Sequence, residues 1–116
     1  MASRDPKIWA RTSELKAGVL KALACPARIR ILELLKDGSQ SVSWIIDEIG
    51  LEQSNVSQHL TILRKRGIVI AQREGLRVNY SIASPEVFSI LEDVETIVRK
   101  QYENDQVLIA KKQTTS

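Results

Sequence analysis

One histidine and one cysteine in 116 residues leave little for nucleophilic or metal chemistry. The lone Cys25 cannot form a disulfide within one chain, which fits a reducing compartment. Only five residues are aromatic, so a core must come mostly from Ile, Leu and Val. The apolar runs are far too short to span a membrane. The opening MASRDPKIWA lacks the apolar stretch of a signal peptide, so a soluble cytoplasmic protein is expected. There is no internal repeat or low-complexity segment. No phosphate-binding loop, nucleophile–base arrangement or pair of catalytic carboxylates is recognisable, so an enzyme is not expected. The length suits a single domain, 1–116.

What the chain does have is charge in blocks. Net charge is only +3. Residues 53–83 nevertheless carry Arg64, Lys65, Arg66, Arg73 and Arg77 against Glu74, while 37–52 carry four acids and no base. Such a basic zone is an electrostatic footprint for a polyanion, although charge alone favours a solvated surface.

Hydrophobic spacing predicts mainly helix with a small β-hairpin, in the order α-α-α-α-β-β-α. A first helix is expected over 6–24, with Pro6 in its first turn. "PARIRILELLKDG" reads as a second, packing Ile29, Ile31, Leu32, Leu34 and Leu35 inward and ending at Gly38. Ser39 to Val42 suits a short extended piece. Ser43 is then the expected N-cap of "WIIDEIG". A turn at Gly50-Leu51 leads, with Glu52 as cap, into a helix from Gln53 to Arg66. Two short helices joined by a Gly-containing turn, 43–66, form a helix-turn-helix pattern. The period then changes: 68–82 reads as two strands around a turn at Gly75, with Arg73 and Arg77 either side of the tip. Ser84-Pro85 should open a last helix, 85–110, whose stripe is Val87, Ile90, Leu91, Val94, Ile97, Val98 and Tyr102. The tail from Lys111 to Ser116 is expected to fray.

The helix "QSNVSQHLTILRKR" is unusual. Val56, Leu60 and Leu63 fall on one side. Ser54, Asn55, Gln58, Thr61 and Lys65 fall on the other, where an ordinary surface helix carries Glu and Lys. Asn and Gln can make two bonds to adenine, and Ser or Thr can donate or accept. Such a face reads bases in a major groove without steric bulk. Ser57, His59 and Arg64 flank it and are placed to hold phosphates. Gln53, Ser54, Asn55, Ser57, Gln58, His59, Thr61, Arg64 and Lys65, with Arg73 and Arg77, are therefore the expected contacts to double-stranded DNA. The terminal helices carry more apolar surface than so small a domain needs. Trp9, Leu15, Val87, Leu91, Val94 and Val98 are the expected dimer contacts.

"LKALACPARIRILELL", "NVSQHLTILRKRGIV" and "REGLRVNYSI" resemble the ArsR/SmtB family of transcription repressors across residues 15–100. The most specific parts are the Ser-x-His-Leu segment, Ser57 to Leu60, and the Gly-Ile-Val entry to the hairpin. The resemblance implies a winged helix-turn-helix and a homodimer held by the first and last helices. It implies repression of an operator, relieved by an effector that the sequence leaves unknown. It places Gln53 to His59 in the recognition helix and Arg73 to Arg77 in the wing.

The family's metal ligands are missing. A Cys-x-Cys pair opens the first helix of the helix-turn-helix in some members; here the positions are Ser41 and Ser43, weak ligands for thiophilic ions. Others use Asp and His on the last helix, which here has no His. No cofactor is expected. Cys25 keeps two readings: a small core residue, or a thiol sensor favoured by Arg28 and a helix N-terminus. Trp44 is read as packing. The competing function is a winged-helix protein-interaction module without DNA affinity, which predicts an apolar or acidic recognition face.

Overall fold

The computed structural model describes residues 5–114. Eight elements follow in the order α1 (Pro6–Leu23), α2 (Pro26–Leu34), β1 (Gln40–Ser41), α3 (Val42–Ile49), α4 (Gln53–Lys65), β2 (Val69–Glu74), β3 (Arg77–Ile82) and α5 (Glu86–Thr114). They divide into two compact units, one ending at Ser84 and the other beginning at Pro85. No described helix is long and apolar enough to cross a membrane.

In the first unit, Asp5 caps α1 by accepting from the Lys7 amide at 2.9 Å, and Pro6 occupies the first turn. The Ile/Leu/Val supply becomes the core: Ile31, Leu32, Leu35, Ile45, Val56, Leu60, Leu63, Ile68 and Val69 are essentially inaccessible. Burying such side chains stabilises the fold by about 1.5–3 kcal/mol each. Ile29 and Leu34 are only half-buried. α2 ends at Leu34, before the expected Gly38.

Three details correct the sequence reading. The wing is a three-stranded antiparallel sheet in the order β1-β3-β2, since Gln40 and Ser41 pair with Tyr80 and Asn79. The N-cap of α3 is Ser41, whose hydroxyl accepts from the Trp44 amide at 3.1 Å; Ser43 is an exposed residue inside the helix. Glu52 sits at the N-cap position of α4 but its side chain makes no capping bond. Gly50 ends α3 with φ 72, a left-handed conformation that a side chain disfavours.

The second unit is α5, a helix of 29 residues. It starts at Glu86, and the Ser84 hydroxyl donates to the Gly67 carbonyl at 2.8 Å. The helix runs past Lys111 to Thr114, where fraying was expected. Thr115 and Ser116 lie outside the described residues.

Candidate nucleic-acid interface

α4 is fixed from behind. Val56, Leu60 and Leu63 are buried at 0%, 1% and 0% exposure. This spacing turns Gln53, Ser54, Asn55, Ser57 and Gln58 outward, and all five are exposed. Their side chains find no hydrogen-bond partner among the described residues. The cost in helix propensity therefore leaves a row of free amide and hydroxyl groups. Thr61 departs from the row: it is half-buried and its hydroxyl donates to the Ser57 carbonyl at 2.8 Å. It is a weaker candidate for base contact than its sequence position suggested.

The cations divide into two groups. Arg64 and Lys65, in the last turn of α4, and Arg73 and Arg77 on the wing are exposed. None of the four forms an ion pair among the described residues. Arg66 instead lies over α1 at Gly18, where an added Cβ would stand 2.6 Å from Nη1. Gly18 leaves room for that guanidinium.

β2 and β3 meet in a two-residue turn, Gly75-Leu76, with Gly75 at φ 64. The register sets Arg73 beside Val78 and Glu74 beside Arg77. Paired residues share a face and neighbours alternate, so the two wing arginines leave from opposite faces. Arg77 lines a cleft of about 750 Å³ between the starts of α3 and α4 and the wing, together with Ser43, Asp47, Gln53, Ser57 and Tyr80. Arg73 lies outside that cleft. Leu76 at the tip is fully exposed, at 105%. No local pattern signals that Asp47 and Tyr80 share this cleft, because α3 and β3 are distant in sequence and meet only in the fold.

His59 is placed differently from the residues around it. Its ring is half-buried and its Nδ1 lies 3.2 Å from Nη1 of Arg28. Burial first, and the Arg28 charge second, hold its pKa below the usual 6.5. Arg28 also donates from Nε to the Ala22 carbonyl at 2.6 Å and from Nη2 to the Lys21 carbonyl at 3.3 Å. It thereby satisfies the C-terminal carbonyls of α1. Cys25 is the N-cap of α2, partly exposed, and makes no capping bond.

The expected dimer contacts are mixed. Trp9 and Leu15 on α1, and Val94 and Val98 on α5, are exposed apolar residues. Leu91 is half-buried. Val87 is 2% exposed within the single chain and presents nothing to a partner.

Two short helices at a glycine turn, the second with a free polar face, and a basic hairpin beside it define a winged helix-turn-helix DNA-binding domain. The model of the bacterial regulatory protein arsR family matches residues 25–71. The HTH-type transcriptional regulator Rv0081 of Mycobacterium tuberculosis is 49% identical over 79 residues, 67% of this chain and 69% of that one. The chain belongs to the arsR family and is a transcriptional regulator, not an enzyme. The crystal structure of Rv0081 superposes with a TM-score of 0.72 at 41% identity, covering 80% of this chain and 94% of that one. A homodimeric winged helix-turn-helix DNA-binding domain from Mycobacterium bovis superposes with a TM-score of 0.74 at 33% identity, covering 90% and 95%.

Proposed function

We propose that the chain is a cytoplasmic homodimeric repressor of an inverted-repeat operator. α4 enters the major groove, Gln53, Ser54, Asn55 and Gln58 meet base edges, and Arg64, Lys65, Arg73 and Arg77 hold the backbone. The observation that carries this reading is the free polar face of α4, together with four exposed cations on α4 and the wing that form no ion pair among the described residues. An interaction module would show an apolar or acidic face there. The Mycobacterium bovis domain is described as homodimeric, and the exposed apolar residues of α1 and α5 suit the same assembly here.

The residues at positions 41 and 43 do not suit a thiophilic metal ion. Ser41 is occupied as the cap of α3, and Ser43 offers only a hydroxyl. Selection of bound sequences from a random DNA pool tests the reading and yields the operator. Gln58→Ala should then reduce discrimination between operator and random duplex by about tenfold, about 1.4 kcal/mol, within the ~1–3 kcal/mol of a good bidentate base contact. Arg77→Ala should weaken both, and lower the slope of affinity against salt by about 1. Parent protein with no salt-sensitive DNA binding would sink the proposal.

A further inference from the structure

We propose that Arg28 is a positioning residue for the DNA-reading helix: it fixes His59 in the tautomer that carries its proton on Nε2, so that α4 offers a neutral N–H donor to the DNA backbone. This rests on the DNA-binding reading above and assigns a chemical form to one of its residues.

The donors and acceptors of the two side chains decide the tautomer. A guanidinium has five N–H donors and no acceptor, and stays charged at any pH a protein tolerates. At 3.2 Å from Nη1 of Arg28, Nδ1 of His59 must be the acceptor. A neutral imidazole that accepts at Nδ1 carries its proton at Nε2. Protonating Nδ1 as well would set two cations against each other, and the depressed pKa follows from burial first and this repulsion second. Nε2 has no partner among the described residues.

The placement gives that proton a use. His59 lies one turn after Asn55 and next to Gln58, both exposed on the reading face. The ring is held by Arg28 of α2. Arg28 itself is held by the Ala22 and Lys21 carbonyls, so the guanidinium cannot swing away without stripping the end of α1. A donor held in advance loses little freedom when it meets a phosphate oxygen, and a hydrogen bond to a charged acceptor is stronger than a neutral one.

Two measurements test this on the full chain. Long-range proton–nitrogen correlation spectra of the labelled protein report its only histidine without ambiguity. The free protein should show the proton on Nε2 and a midpoint below 6.5, moving up towards 6.5 in Arg28→Ala. Affinity for the selected duplex is then compared across His59 variants that leave α1 untouched. His59→Phe should bind about tenfold more weakly. His59→Gln should stay within about threefold of the parent, since an amide keeps both the acceptor for Arg28 and an N–H donor. Arg28→Ala combined with His59→Phe should be no weaker than the weaker single variant. A proton on Nδ1, or His59→Gln binding as poorly as His59→Phe, overturns the proposal. Parent protein that binds no duplex, with spectra as expected, defeats the DNA-binding reading and the donor role while leaving the Arg28-imposed tautomer in place.

Discussion

His59 shows what a single residue can hide. Its sequence position marks a DNA-side residue, and the structure keeps it beside the reading face. Its partner is 31 residues away, and no local pattern in "PARIR" announces that Arg28 will reach it. Burial of the ring, with the Arg28 charge second, makes stability depend on pH. The folded pKa lies below the usual 6.5, so between the two values the unfolded chain binds a proton that the folded chain refuses. The contribution is fully present above 6.5. It falls as pH drops through that value and levels off below the folded pKa. The urea midpoint should therefore decline as pH falls through 6.5, ahead of most carboxylate titration. His59→Gln, which cannot take up the proton, should flatten that part of the curve. A parent whose midpoint is constant across the window would contradict the depressed pKa.

At the scale of elements, most boundaries were legible because they depend on neighbours in sequence. Pro6 and Pro26 open helices, Gly50 closes one, and the period change after Gly67 marks the hairpin. The errors came where a distant segment decides. β1 is two residues long and exists as a strand only because β3 lies beside it. That pairing extends the backbone through Ser41 and makes it, rather than Ser43, the N-cap of α3. β3 is consequently the central strand, so Asn79 and Ser81 are half-covered where simple alternation leaves them open. The cap assignment can be decided by two alanine substitutions. Ser41→Ala should cost about 1 kcal/mol, the usual worth of an N-cap hydroxyl. Ser43→Ala, inside the helix and exposed, should stay within about 0.5 kcal/mol of the parent. Equal losses, or the reverse order, would return the cap to Ser43. Chemical denaturation at fixed pH measures both.

For the whole molecule, the DNA-reading surface was legible in its residues but not in its division of labour. The polar face of α4 and the basic wing were visible as composition. That Arg66 covers Gly18, that Thr61 bonds back into its own helix, and that the wing arginines leave from opposite faces all require coordinates. Assembly remains the step that joins one reading helix to function. A two-fold dimer presents two recognition helices to successive major grooves, about 34–36 Å apart. Binding the second half-site is then intramolecular, and its effective concentration raises affinity with no new contact. Trp9 at 64% exposure and Val98 at 54% carry large apolar area that contributes little inside the single chain. Glutamate at either position should leave the monomer fold intact, because the site is open. The same glutamate would be a buried, unpaired charge in a dimer interface, a cost of several kcal/mol. Trp9→Glu and Val98→Glu should therefore sediment as monomers with unchanged helical circular dichroism. Their affinity for the full inverted repeat should fall to the value that a single half-site gives with the parent. Variants that stay dimeric, or that keep full-operator affinity as monomers, would remove α1 and α5 from the interface and require another surface to hold the two reading helices in register.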